Sequence, residues 1–189
     1  MEIIEKRILE SGVIINGDIL KVDSFLNHQI DPKLLREFAL GAKEAFKDQH
    51  IDKVLTIETS GIAVAFAVAE ILGDLPLLFA KKSKSQTVGN DVYVTNIKSF
   101  TRNIFSEVTV NKAYLSQNEH ILIVDDFLAE GNAAMGLIDL CNQAGAKVVG
   151  VATVIEKLFQ GGRAKIENCG VPVFAGASIT AFKDNKPVF

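Results

Sequence analysis

Residues 121–134 run Ile-Leu-Ile-Val-Asp-Asp-Phe-Leu-Ala-Glu-Gly-Asn-Ala-Ala, an apolar stretch that delivers two adjacent carboxylates and then a turn of small residues. Asp125 and Asp126, when ionised, only accept hydrogen bonds, which suits the hydroxyls of a sugar. Ala129, Glu130, Gly131, Asn132 and Ala133 stand where the apolar stretch gives way to a helical pattern. Backbone N–H groups at such a start, aided by the helix dipole, favour a phosphate. The combination asks for a sugar phosphate. The same residues are also compatible with a helix cap, or with a phosphoacceptor or Mg2+ site.

Two further stretches point the same way. Glu58 and the small residues Thr59, Ser60 and Gly61 follow another apolar run and open a helix, so hydroxyls and N–H groups there could cradle a pyrophosphate. An ordinary turn with Ser60 as N-cap has the same sequence. Lys81, Lys82 and Lys84 then begin a long polar stretch. Three cations there would offset the charge of a polyanion and steer its approach, although a solvated basic loop looks alike.

The elements that must position these residues alternate. The pattern predicts strands at 53–58, 75–80, 121–125 and 148–155, with helices at 62–72 and 133–144 between them. Strands that read as continuous Val, Ile and Leu runs between helices predict an α/β fold with a central, mainly parallel sheet flanked by helices. Asp31-Pro32 predicts a helix start, with Leu34, Leu35, Phe38, Ala42 and Phe46 on one face. Ahead of it, residues 1–31 form an N-terminal appendage with a short helix at 2–9 and a β-like stretch at 13–22. Residues 81–106 read as one polar connection, long enough to be a flexible lid. After Gly161 come an amphipathic stretch at 163–168 and a strand-like one at 171–174.

At 189 residues the chain has the length of a single domain, 1–189. A net charge of −3 gives no reason to expect nucleic acid as a partner. The longest apolar run, 62–69, is far short of the roughly 20 residues that cross a bilayer, and the charged N-terminus lacks a signal peptide's apolar stretch. No membrane and a cytoplasmic location are the expectations. Cys141 and Cys169 lack metal-ligand spacing and read as buried spectators, and His28, His50 and His120 form no triad or metal set in the sequence.

The order of apolar strand and small turn, basic stretch, then acidic strand and turn resembles the type I phosphoribosyltransferases. Within them, Leu20-Lys21-Val22-Asp23-Ser24-Phe25-Leu26-Asn27-His28-Gln29-Ile30-Asp31-Pro32 resembles the N-terminal segment of bacterial xanthine phosphoribosyltransferases, as do Asp125 to Ala129 and Val154 to Lys157. The resemblance spans residue 1 to about Gly170. It implies the type I fold, with a small hood built from the N-terminal segment and the C-terminal part over the sheet and a mobile lid. It implies transfer of the phosphoribosyl group of phosphoribosyl pyrophosphate to N9 of xanthine, with Mg2+ held mainly by that substrate and no protein metal site. By the same resemblance Asp125 and Asp126 attend the ribose, and Leu20, Asn27 and Lys157 hold xanthine. Phosphoribosyl pyrophosphate lies on Ala129, Glu130, Gly131, Asn132, Ala133, Thr59, Ser60, Gly61 and Lys81. A homodimer is implied, with Lys81 reaching the partner's site. Phe159 could stack on the base or belong to the core. Glu130 departs from the usual uncharged residue, which predicts that it offers its backbone N–H and turns its carboxylate to solvent. Guanine or hypoxanthine as the base, a purine-gene regulator that senses phosphoribosyl pyrophosphate, and a Mg2+-dependent phosphoacceptor or hydrolase domain are the competing expectations. The regulator lacks support from any Arg/Lys-rich helix.

Overall fold

The computed structural model describes residues 1–82, 91–98 and 105–189. Helix α1 (Glu2–Ser11) leads into an antiparallel hairpin of β1 (Val13–Ile15) and β2 (Ile19–Lys21), then a π-helical turn at Asp23–Asn27. Asn16 and Gly17 both have positive φ, the conformation that a tight hairpin turn of this hand demands. Helix α2 (Pro32–Ala45) starts as its sequence predicts, with the Asp31 side chain accepting from the N–H groups of Lys33 and Leu34 and proline at the first position.

Next come β3 (Lys53–Ile57), α3 (Gly61–Ile71), β4 (Leu77–Ala80), β5 (Val92–Lys98), β6 (Phe105–Asn111), β7 (His120–Leu128), α4 (Asn132–Ala144) and β8 (Lys147–Lys157). The chain closes with α5 (Gly162–Glu167), β9 (Val173–Ile179), and a hairpin of β10 (Ala181–Lys183) and β11 (Lys186–Val188). Five strands in the order β4-β3-β7-β8-β9 form one parallel sheet.

Side chains alternate along each strand, so a strand buried on both faces supplies two cores. On β7, Leu122 and Val124 pack with Ile4, Phe38 and Val64 beneath α1, α2 and α3. Ile121 and Ile123 pack on the other face with Leu137 and Ile166 of α4 and α5. That second core also holds Ile97, Val108 and Val110 of the β5–β6 hairpin.

The hairpin departs from the sequence expectation of a single polar connection at 81–106. Strand β5 lies inside that range, and β6 begins at its end. Residues 83–90 and 99–104 of the expected lid lie outside the described residues. Its first residue, Lys81, pairs backbone to backbone with Thr109 of β6. Among the described residues no helix is long and apolar enough to cross a membrane.

Cys169 corrects another expectation, because it is exposed while Cys141 is fully buried. It sits just past the end of a short helix whose last turn packs only one face inward. Burial pushes the Cys141 thiol up to about 12. In the native protein near about pH 8, a disulfide reagent should therefore titrate Cys169 alone, and Cys141 only after denaturation. Rapid reaction of both thiols under native conditions would contradict this packing.

Candidate phosphoribosyl-transfer site

From β3 the chain turns to β4 on one side, and later returns through β7 on the other. Connections diverge between β3 and β7, and in an open parallel sheet the crevice at the carboxyl ends of such a pair is where ligands bind. The turn after β3 carries Thr59, Ser60 and Gly61, and the end of β7 carries Asp125 and Asp126, so both lie at this rim. They are in contact. A Cβ built on Gly61 would stand 2.7 Å from Asp125 Oδ1 and would overlap Thr56 Oγ1, so only glycine allows the carboxylate to sit there.

Asp125 is partly exposed as a residue, but its carboxyl is enclosed. Burial, and then the neighbouring Asp126, push that carboxyl well above the ordinary carboxylate range, while Lys82 opposes the shift. Its Oδ1 accepts the Asp126 N–H at 2.9 Å. Ser60 caps no N–H of α3 with its side chain, although it occupies the N-cap position. The Glu58 carboxylate accepts the backbone N–H of Lys82, tying the turn to the second residue after β4.

Beside the acidic pair lies a cavity of about 240 Å³ lined by residues 127–134, Lys82, and Ile97, Ser106 and Val108 of the hairpin. Gly131 has φ 80° and forms the N-cap of α4, which no side chain caps. The Ala129 carbonyl accepts the Gly162 N–H at 3.1 Å, and the Glu130 carbonyl accepts Lys165 Nζ at 2.8 Å. In a planar trans peptide the N–H opposes the carbonyl. The N–H groups of Glu130 and Gly131 therefore point away from α5, toward the cavity. Gly162 packs so closely on this loop that any Cβ would strike the Ala129 carbonyl.

Helix α5 is itself moored. Arg163 donates to both carboxylate oxygens of Glu156, at 2.9 and 2.6 Å, and to the Val173 carbonyl at 2.9 Å. Glu156 is 1% exposed and also accepts the Ser178 hydroxyl. The adjacent strand residue, Lys157, points to the opposite face, so it cannot pair with Glu156. It donates instead to the Asp18 carbonyl at 2.8 Å and lies 5.5 Å from the centre of the Phe182 ring. Burial lowers its pKa.

Residues 21–169 match the phosphoribosyl transferase domain family. The chain belongs to the phosphoribosyltransferases.

Among curated relatives, the phosphoribosyltransferase is 46% identical over 189 residues to the xanthine phosphoribosyltransferase of Finegoldia magna, covering 100% of this chain and 99% of the other. It is 49% identical over 186 residues to that of Macrococcus caseolyticus, covering 98% and 95%. Its fold superposes on the adenine phosphoribosyltransferase of Trypanosoma brucei, solved with AMP, pyrophosphate and ribose-5-phosphate. That match has a TM-score of 0.79 and 16% identity, and covers 97% of this chain and 82% of the other. The Rhodothermus marinus adenine phosphoribosyltransferase gives a TM-score of 0.76 at 22% identity, covering 95% and 100%.

Of the residues singled out in the sequence, Ala129 to Ala133 line one cavity, and Gly61 touches Asp125. Asn27, 99 positions away, donates its amide to Asp126 Oδ2 at 2.8 Å, which places the N-terminal segment directly over the acidic pair. Lys157 meets the same segment through Asp18. Leu20 packs into the core with 7% of its surface exposed. Thr59 is exposed beside an apolar cleft between α2 and α3.

Lys81 does not line that cavity. It lines a separate cleft with Phe79 and Tyr114, and Lys82 takes the cavity side because successive residues of an extended chain face opposite ways. The carboxylate of Glu130, a partly exposed residue, accepts the Asn132 side-chain amide at 3.0 Å. Phe159 packs edge-on against Phe182 at 5.5 Å and remains 46% exposed.

Sequence reading gave no site role to Glu156, Gly162, Arg163, Lys165 and Phe182, and it did not separate Lys82 from its neighbours Lys81 and Lys84. The Gly161-Gly162 doublet was the one local sign, because adjacent glycines commonly mark a close backbone approach.

Proposed function

We propose that this phosphoribosyltransferase transfers the 5-phosphoribosyl group from phosphoribosyl pyrophosphate to N9 of xanthine, giving xanthosine 5′-monophosphate and pyrophosphate in purine salvage. The observation that carries the proposal is the contact of Asn27 with Asp126, which sets a base-selecting segment directly beside the carboxylates suited to ribose hydroxyls. Likeness over the full chain to xanthine phosphoribosyltransferases supports the choice of base.

Attack by N9 on the anomeric carbon forms the new C–N bond as the C–O bond to pyrophosphate breaks, with positive charge developing on the ribose. The loop at 129–133 holds the 5′-phosphate through its N–H groups. Asp125 and Asp126 hold the ribose hydroxyls, and Thr59, Ser60 and Gly61 receive the pyrophosphate. Positioning and exclusion of water dominate such a reaction.

Asp125 and Asp126 offer only oxygen donors, which fits Mg2+ shared with the substrate's own oxygens. That ion would neutralise the departing pyrophosphate. Xanthine presents carbonyl acceptors on both sides of N1. Lys157 serves one, with ammonium donors beyond the one given to Asp18, and the Asn27 amide serves the other as it leaves Asp126. An amino group facing a donor leaves both unpaired, at about 1–3 kcal/mol, which disfavours guanine. The enzyme acts in the cytoplasm as a homodimer, with Lys81 facing the partner's site.

The test is to supply phosphoribosyl pyrophosphate and Mg2+ with xanthine, guanine, hypoxanthine or adenine in separate reactions and to follow nucleotide and pyrophosphate. Xanthine should have the highest kcat/KM. A higher value for guanine would overturn the assignment of base, and no nucleotide with any base would overturn the activity.

A further inference from the structure

At the opposite, amino edge of the sheet lies a group of side chains that phosphoribosyl transfer does not use. His50 and Asp52 stand in the connection from α2 to β3, and His120 is the first residue of β7. A nitrogen of each imidazole and a carboxylate oxygen of Asp52 all lie within 4.8 Å of one another. His50 Nε2 is 2.8 Å from Asp52 Oδ1, and His120 Nδ1 is 3.1 Å from Asp52 Oδ2. The imidazole rings meet edge-on, 5.2 Å between centres. His120 and Asp125 are five positions apart on one strand, about 16 Å of extended chain.

We propose that His50, Asp52 and His120 form a binding site for one divalent transition-metal ion of the Zn2+ type. Two imidazoles and a carboxylate are the donor set that Zn2+, Co2+ and Ni2+ take, whereas Mg2+ and Ca2+ select oxygen alone. Metal–ligand bonds of about 2.0–2.2 Å in tetrahedral array put ligand atoms about 3.3 Å apart. The two imidazole–carboxylate separations, 2.8 and 3.1 Å, are close to that, and the two imidazole nitrogens lie within 4.8 Å, so side-chain rotation brings all three ligand atoms onto one ion. Each imidazole nitrogen now facing Asp52 gives its proton position to the metal, and the ring's remaining proton sits on its other nitrogen.

Two of the three ligands are held in place before any ion arrives. The Asp52 N–H donates to the His120 carbonyl at 2.9 Å, and the His120 N–H donates to Asp52 Oδ2 at 2.8 Å. Backbone hydrogen bonds of this kind orient the ligand side chains before the ion binds. His50 is 72% exposed and completes the set from the connecting loop, leaving a coordination position for water. A bound ion would tie that loop to the starts of β3 and β7, and would stabilise the folded chain by mass action. The three residues lie 68–70 positions apart across β3, α3, β4, β5 and β6, or two apart within one loop, so their separations in the sequence give no metal signature.

The test uses the full chain, stripped with a chelator and desalted, then titrated calorimetrically with ZnCl2 and separately with MgCl2. The expected result is one Zn2+ per chain with a micromolar Kd, a rise in melting temperature with added Zn2+, and no matching heat from Mg2+ without substrate. Co2+ in place of Zn2+ should give the visible absorption of a four- or five-coordinate site. His50→Ala should weaken Zn2+ binding at least about tenfold, the loss of one ligand, while leaving phosphoribosyl transfer without added Zn2+ unchanged. Asp52→Asn should abolish the Co2+ spectrum. Absence of saturable binding, or an unchanged Kd in His50→Ala, would overturn the site and reduce the three residues to a hydrogen-bonded trio.

Discussion

Asp125→Asn is expected to raise the melting temperature of the substrate-free protein at neutral pH while slowing phosphoribosyl transfer by about 100-fold. The stability gain follows from the sign of the shift. Burial and Asp126 raise the folded-state pKa of Asp125 above its ordinary 3.8. Between 3.8 and the raised value the folded chain binds more protons than the unfolded one, so stability falls as pH rises through that window. Above the window the cost of the enclosed charge is fully present. Asparagine carries no such charge, and its side-chain oxygen can still accept the Asp126 N–H. The variant's advantage should be absent at the acid end, grow as pH rises through the window and level off above it.

The loss of rate has a separate origin. A carboxylate that accepts hydrogen bonds from ribose hydroxyls contributes about 1.5–3 kcal/mol per bond, and two orders of magnitude in kcat/KM corresponds to about 2.7 kcal/mol. Melting curves from about pH 3 to pH 8, with steady-state kinetics at neutrality, test both halves. Equal melting temperatures at every pH would show that the carboxyl is not strained by its surroundings. Unchanged kcat/KM would remove Asp125 from the ribose site.

Arg163→Met should produce the largest loss of stability among single substitutions near the site. Glu156 is almost completely buried, and both its oxygens take hydrogen bonds from Arg163. Removing the cation leaves an enclosed carboxylate without its partner, at a cost of about 3–5 kcal/mol. In a chain of this length that lowers the melting temperature by roughly 10 °C. The same arginine fixes α5, whose Gly162 and Lys165 hold the carbonyls of Ala129 and Glu130. KM for phosphoribosyl pyrophosphate should therefore rise several-fold more than kcat falls.

Combining Glu156→Gln with Arg163→Met separates the two effects. The enclosed charge is gone, so most of the stability should return, whereas the raised KM should persist because α5 is still unmoored. Recovery of KM together with stability would show that the arginine acts on the loop only through global folding. Arg163→Lys restores charge without the planar fork, and should lie between wild type and methionine in both measures.

The α/β class, the alternation of strands and helices, and the small turns that follow β3 and β7 were legible in the sequence, because each rests on local periodicity and turn chemistry. Asp31-Pro32 opened α2 as its side chain dictates. The β5–β6 hairpin was less legible, because Val92-Tyr93-Val94-Thr95-Asn96-Ile97 lacks a clean alternation of apolar and polar residues. Its strands are secured by packing Ile97, Val108 and Val110 against the face covered by α4, and that partner is distant in sequence.

Only tertiary structure decided which lysine faces the cavity, since Lys81 and Lys82 are indistinguishable until the backbone pairing with Thr109 fixes their direction. It alone brought Asn27 to Asp126, joined Arg163 to Glu156, and gathered His50, Asp52 and His120 at the far edge. Local sequence encodes which backbone conformation each segment prefers. Contacts between segments depend on the order and direction in which strands join the sheet, and that order is set by burial of the whole chain at once.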